Sequence, residues 1–196
     1  MQKLNFRKKI LFVAIINFSY FFVEFFLAFN IHSVSLFADS IDFLEDSFIN
    51  FLIFFAISWS ISTKVKIGYL LSFFLLIPCL AVFWGAWQQI IEQEPPLGFG
   101  ISLVGLGALI VNCSCAFILI SLKDFNGSLT KAAFLSARND VISNFTIIIT
   151  GYLTIIYKSI WPDIITGLVI VLINSQASLK VYREAKREKL RLKNLN

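Results

Sequence analysis

The stretch that decides the fold is residues 35–61, SLFADSIDFLEDSFINFLIFFAISWSI. As a helix it can cross the hydrocarbon core of a bilayer, which takes ~20 largely apolar residues. Four acids nevertheless lie in its first half: Asp39, Asp42, Glu45 and Asp46. A charge at membrane depth costs between ~3 and ~15 kcal/mol, depending on the method. These acids therefore need a partner, and a cation is the simplest one.

The composition of the whole chain indicates a membrane environment. The 196 residues are 58% hydrophobic and 15% charged, with a mean hydropathy of +0.80, whereas soluble domains are about 45–50% apolar and about 25% charged. We therefore predict an all-α, polytopic membrane protein with six transmembrane helices. The predicted spans are residues 10–30, 35–61, 68–91, 101–122, 132–156 and 162–182.

The positive charges predict the orientation of these spans. Lys and Arg lie in the N-terminus, in the loops after spans two and four, and in the tail, and only Lys158 of the 17 falls on the other side. The positive-inside rule then places both termini in the cytoplasm. The predicted organisation is a cytoplasmic N-terminus (1–9), a transmembrane domain (10–182) and a short basic tail (183–196). The net charge of +5 is thus a topology signal, and we expect no nucleic-acid partner.

Helical spacing arranges the acids of the second span. Asp42 and Asp46 are four residues apart, so they lie on one face, one turn from each other. Asp39 shares that face, and Glu45 flanks it. Four ionised acids so close together would repel one another strongly in a low dielectric. They must be partly protonated, bound to cations or close to water, and each of these states suits a site that exchanges protons for a metal ion.

The fifth span repeats the pattern, since Ser136, Asp140 and Asn144 follow one another at intervals of four residues. If spans two and five face each other, Asp42, Asp46 and Asp140 converge, with Asn144 or Ser136 supplying a neutral oxygen. Three carboxylates and one such oxygen are plausible ligands for a divalent metal ion. The other interpretation is that these acids line a water-filled vestibule or cap helix starts, and for Asp39 the two are equally good.

Two further acids lie outside these two clusters. Glu24 is in the middle of the first span and either joins a proton path or hydrogen-bonds to another helix. Asp163 follows Trp161-Pro162 and is most simply a cap at the start of the sixth helix.

The residues in this order resemble the cation diffusion facilitator family. Residues 33–46, SVSLFADSIDFLED, look like the family's second-span signature, in which two ligands four residues apart bind the metal and correspond to Asp42 and Asp46. Glu24 and Asn112 are similar to residues that members often carry in the first and fourth spans. The fifth span departs from the family pattern, because Ser136 stands where members usually have His or Asp.

The resemblance implies a secondary transporter that exports a divalent transition metal (zinc, manganese, iron(II) or cobalt) from the cytoplasm in exchange for protons. It implies alternating access and a homodimer in the cell membrane, which we expect to be a bacterial inner membrane, and a short form without the family's C-terminal cytoplasmic domain. No cofactor is expected, and the chain is not expected to be an enzyme. The metal residues would be Asp42, Asp46, Asp140 and Asn144, with Ser136 and Asp39 as further candidate ligands and Glu24 on the proton path.

Two other functions remain open from the sequence. The chain could be a membrane metal sensor or scaffold that keeps the fold without transporting, which the serine at position 136 favours. It could also be an intramembrane aspartyl protease with acids on two spans. Against this, Asp140 follows Asn139 and lacks the glycine expected beside the second acid.

Overall fold

The structure, a computed structural model, describes residues 2–56, 63, 66–67, 69–70, 76–122 and 128–173. Within these residues the chain forms helices and short connections, and it contains no strand. The helices are α1 (Gln2–Ile31), α2 (Val34–Ala56), α3 (Leu76–Glu92), α4 (Gly98–Ile120), α5 (Ser128–Tyr157) and α6 (Trp161–Ile173).

The prediction of an all-α polytopic membrane protein is confirmed. Three described helices are long and apolar enough to cross a membrane, namely Asn5–Ile31, Gly98–Ile120 and Ala133–Tyr157, and Trp161–Ile173 is a shorter apolar helix. With 23 residues, α2 has the length of a span but contains the four acids. Parts of the second, third and sixth predicted spans (57–61, most of 68–75, and 174–182) and the basic tail (183–196) lie outside the described residues.

One end of the helix bundle is basic. The helix α1 already begins at Gln2, so the basic N-terminal segment continues directly into the first span. The guanidinium carbon of Arg7 lies 4.9 Å from the ring centre of Phe54, near the end of α2, and Lys9 Nζ donates a hydrogen bond of 3.0 Å to Ser121 Oγ, at the end of α4. We call this the basic end, and the end that carries the connections at residues 32–33, 93–97 and 158–160 the opposite end.

The helix α2 lies at the centre of the bundle, where it packs against α1, α3, α4 and α5. Two apolar clusters fill the interior. One lies towards the opposite end and includes Val34, Leu36 and Ile164, and the other lies towards the basic end and includes Ile10 and Leu119. Between them lies a layer of buried polar side chains, which we call the polar layer. Its members are Asn17, Glu24, Asp39, Asp42, Glu45, Asp46, Asn112, Asp140 and Asn144.

Small residues allow α4 and α5 to approach closely. A Cβ atom at Gly151 of α5 would lie 2.5 Å from the carbonyl oxygen of Gly98 and 2.7 Å from the backbone nitrogen of Ser102, both on α4. Ser102 Oγ also donates a hydrogen bond of 3.0 Å to the carbonyl oxygen of Ile148. Contacts of this kind are typical of helices packed within a membrane. They fix α5, and with it Asp140 and Asn144, relative to α4.

Candidate metal-binding site

The first part of the polar layer is a pair of acids on α2 and α5. The side chain of Asp46 lies within hydrogen-bonding reach of the hydroxyl group of Ser136 and of the carboxyl group of Asp140. Asp46 is 4% exposed and Asp140 is 6% exposed. Because two ionised carboxylates have no proton to share, such a contact requires a proton on one of them or a cation between them. The pair is thus suited to hold either.

The spacing along two antiparallel helices brings these residues together. The chain leaves the opposite end along α2 and returns to it along α5, so that positions later in α2 lie beside positions earlier in α5. Asp46 consequently meets Ser136 and Asp140, whereas Asp39, about two turns earlier in α2, meets Asn144.

Two further α2 acids surround the pair. Asp42 lies one turn along α2 from Asp46 and is 5% exposed. Glu45 is 3% exposed, its Oε1 has no hydrogen-bond partner, and it lies close enough to Asp46 and Asp140 for a direct charge interaction. Negative charge is therefore concentrated around one place in the bundle.

The second part of the polar layer lies nearer the opposite end. Asn144 Nδ2 donates a hydrogen bond of 2.7 Å to Asp39 Oδ2, and Asn144 Oδ1 accepts one of 3.0 Å from Asn112 Nδ2. Asp39 is completely buried and faces Glu24 of α1, which is also completely buried. Asp39 therefore lies inside the bundle and not at its edge, and both polar atoms of Asn144 have partners in this conformation.

The two parts of the polar layer lie at two levels along the bundle, and the structure distributes the predicted site residues over both. Among the described residues, no group of three or more His, Cys, Asp and Glu side chains is arranged to hold a metal ion. Asp46, Asp140 and Ser136 are together on the first level, and Asp39, Asn144 and Glu24 on the second. The ligand set with three carboxylates, Asp42, Asp46 and Asp140, therefore stays a prediction.

Two polar neighbours of the site were not predicted from the sequence. Cys115 Sγ donates a hydrogen bond of 3.4 Å to Asn17 Oδ1, and Cys115 lies within charge-interaction range of Asp46 and Asp140. Both side chains are completely buried. The sequence could have indicated Asn17, because it is a lone amide in the apolar run Ile15-Ile16-Asn17-Phe18. It could not have indicated Cys115 as a polar neighbour, because a buried cysteine usually acts as a small apolar residue.

The expectation that Asp163 caps its own helix is wrong. Its completely buried carboxyl group accepts hydrogen bonds from Ser33 Oγ and from the backbone N–H of Val34, both at 2.7 Å, and from Ser35. It therefore caps α2 from α6, and Gln89 Nε2 of α3 adds a further hydrogen bond of 3.1 Å. At the start of α6, Ser159 Oγ instead accepts a hydrogen bond from the N–H of Trp161. The reason is that the start of α2 is buried, so its free N–H groups need acceptors from other helices.

Comparisons with known proteins agree with these features. Residues 10–188 match the family model described as the cation efflux transmembrane domain, and this range includes most of α1, all of α2 to α6 and the polar layer. A comparison with individually curated proteins finds no matching relative.

Proposed function

Because the chain belongs to the cation efflux family, whose members transport metal cations across membranes and are not enzymes, we propose that it exports a divalent transition-metal ion in exchange for protons. Zinc, manganese, iron(II) and cobalt are the candidate ions. We further propose that it does so by alternating access and that the metal ion is the transported substrate and not a resident cofactor.

The observation that supports this proposal most directly is the contact between the carboxyl groups of Asp46 and Asp140. Both are buried, and they come from different helices, so the site is built where helices can move relative to one another. A proton or a divalent ion each relieves the repulsion between the two carboxylates. Competition between them for one pair of carboxylates couples their movements, because the pair releases one when it takes up the other.

The proposed ligands are oxygen atoms. Asp42, Asp46 and Asp140 supply carboxylates, and Asn144, with Ser136 and Asp39 as further candidates, completes the set. Carboxylate and amide oxygens favour hard or borderline divalent ions over copper(I), which prefers thiolates. Cys115 lies beside the site, but its Sγ is directed to Asn17, and we do not include it among the ligands.

The direction of transport follows from the proposed orientation. With the basic end in the cytoplasm, an ion bound by Asp46 and Asp140 would leave on the opposite side, as protons enter from there. Glu24, which lies on the opposite-end side of the polar layer, would provide a path for these protons. We propose the cell membrane as the location and a homodimer as the assembly.

Flux measurements on proteoliposomes test the proposal. With a proton gradient imposed, the wild type should move Zn²⁺, Mn²⁺, Fe²⁺ or Co²⁺, and Asp46→Asn or Asp140→Asn should reduce this flux at least about tenfold, since each removes one carboxylate of the pair. Glu94→Gln is the matched control, because Glu94 is an exposed acid of the 93–97 connection. Undiminished metal flux in both aspartate variants would contradict the proposal.

A second candidate function, a metal sensor or scaffold without transport, is favoured by one observation. Ser136 contacts Asp46 where a stronger ligand would be expected. The same vesicles distinguish the two: a sensor would bind the metal ion with Asp46 and Asp140 but show no flux under a proton gradient.

A further inference from the structure

The strongest feature outside the Asp46–Asp140 pair is Glu24 in the middle of α1. It is completely buried, and neither Oε1 nor Oε2 has a hydrogen-bond partner. Its carboxyl group faces that of Asp39, which is also completely buried. Asp39 Oδ2 accepts the hydrogen bond from Asn144, whereas its Oδ1 has no partner. The two carboxyl groups are also within hydrogen-bonding reach of each other, and such a contact needs a proton or a cation between them. Apart from that contact, three buried carboxylate oxygens in one place have no partner.

An arrangement of this kind is unstable unless something neutralises it. An isolated carboxylate in a protein interior loses most of its hydration energy, and a second carboxylate facing it adds repulsion. The one strong hydrogen bond to this pair, from Asn144, satisfies a single oxygen. A cation between the two carboxyl groups would satisfy the remaining three.

We propose that Glu24 and Asp39 form a second subsite for the transported divalent cation, on the opposite-end side of the Asp46–Asp140 pair. The inference rests on the proposed transport function and extends its pathway to α1. Two carboxylates balance the charge of one divalent ion, and oxygen ligands alone suit a hard or borderline ion such as Mn²⁺. Asp39 and Asp46 are seven residues apart on α2, which separates the two levels by ~10 Å along the helix.

Asn144 connects the two levels. It lies one turn from Asp140 on α5, and in this conformation its Nδ2 points to Asp39 and its Oδ1 to Asn112. A half-turn of its amide about χ2 exchanges the two atoms, so that the carbonyl oxygen faces Asp39 and an ion bound there. Asn112 is also an amide and can turn in the same way, which keeps a hydrogen bond between the two side chains. The amide pair can therefore serve the subsite both with and without a cation.

The geometry then describes two steps for a leaving ion. The ion first binds between Asp46 and Asp140 and then moves towards Asp39. The carboxyl group of Asp39 is close enough to Asp140 for a direct charge interaction. Glu24 completes the second position from α1, a helix that contributes no ligand to the first. The ion thus changes one carboxylate set for another while it stays coordinated by oxygen.

Mn²⁺ binding to the purified full-length chain in lipid nanodiscs tests the inference, with the free ion counted by electron paramagnetic resonance. The wild type should bind two equivalents, with line broadening from two ions ~10 Å apart. Glu24→Gln/Asp39→Asn should bind one equivalent, at Asp46 and Asp140. Asp46→Asn/Asp140→Asn should also bind one, at Glu24 and Asp39. The control Glu94→Gln should bind two.

Two results would overturn the inference. One is a Glu24→Gln/Asp39→Asn variant that binds as many ions as the wild type. The other does not require the Glu24→Gln/Asp39→Asn variant to fold. If the wild type binds one equivalent and Asp46→Asn/Asp140→Asn binds none, Glu24 and Asp39 are protonated acids that bind no ion. Failure of the transport function itself looks different, because then the wild type moves none of the four ions across the membrane, whether or not it binds Mn²⁺.

Discussion

The carboxyl group of Asp163 accepts a hydrogen bond of 2.7 Å from the backbone N–H of Val34, so an acid of α6 caps the start of α2. The same carboxyl group accepts hydrogen bonds from Ser33 and Ser35 and from Gln89 of α3. Three helices therefore meet at one buried acid at the opposite end of the bundle, and this contact fixes where α2 begins. The position of every α2 acid depends on it.

We predict that Asp163→Ala destabilises the protein by ~2–4 kcal/mol, because several buried donors lose their acceptor at once. Asp163→Asn should cost less, since its side-chain oxygen can still accept from Val34. The measurement is thermal unfolding in detergent, followed by the loss of helical circular dichroism. Glu92→Ala is the matched control, because this acid is exposed at the end of α3. Equal melting temperatures for Asp163→Ala and Glu92→Ala would contradict the role assigned to Asp163.

The amide of Asn112 gives a prediction about orientation in the site. Its Nδ2 donates to Asn144 Oδ1, so Asn112→Ala removes the partner that holds the Asn144 side chain beside Asp39, whichever way the two amides are turned. We expect the affinity for the metal ion to fall about tenfold, as for other residues that position ligands, without loss of the fold. Binding is measured by calorimetry in detergent.

The control for this experiment is Asn30→Ala. Asn30 is exposed, and its Nδ2 donates to the carbonyl oxygen of Phe26 in its own helix, so the affinity should not change. An Asn112→Ala variant with wild-type affinity would show that Asn144 needs no support from α4.

The sequence predicted the helices well because length and hydropathy determine them. The structure begins α4 at Gly98 and ends it at Ile120, against a predicted span of 101–122. The periodicity also predicted that α2 presents Asp42 and Asp46 on one face. Such features depend only on local chain geometry, and for this reason they can be derived without knowing how the helices pack.

The pairing across helices was not predictable from spacing alone. Periodicity shows that Asp39 and Asn144 each lie on an acidic or polar face of their helix. Which residues meet depends on how far α2 is shifted along its axis relative to α5, and this shift brings Asp39 to Asn144 and Asp46 to Ser136 and Asp140. That register is set by contacts distant in sequence, such as Asp163 with Val34. No pattern within one helix contains this information.

The packing of α4 against α5 predicts a contrast between two glycines. A Cβ at Gly151 would lie 2.5 Å from the carbonyl oxygen of Gly98, whereas a Cβ at Gly85 in α3 has no atom within 4 Å. We therefore expect Gly151→Ala to separate the helices and lower both the melting temperature and metal transport. Gly85→Ala should leave them unchanged or add up to ~1 kcal/mol of stability, because alanine favours helix. Similar melting temperatures for the two variants would contradict this close approach.

Proton competition at the Asp46–Asp140 pair predicts how metal binding depends on pH. The pair must give up at least one proton to bind a divalent ion with both carboxylates, so the apparent affinity should rise with pH, by up to about tenfold per unit for each proton released. Calorimetry of the wild type between pH 5.5 and about 8 measures this slope, and buffers with different ionisation enthalpies give the number of protons released.

The groups that act on this pair are Ser136 on α5, Asp39 and Glu45 on α2, and Cys115 on α4. Asp46→Asn removes one carboxylate of the pair itself, so the residual affinity of this variant should depend less steeply on pH than that of the wild type. Glu94→Gln, whose exposed carboxyl group lies at the opposite end, should keep the wild-type slope. If Asp46→Asn keeps the wild-type slope as well, the released proton comes from another group, and the exchange of a proton for a metal ion at Asp46 and Asp140 is wrong.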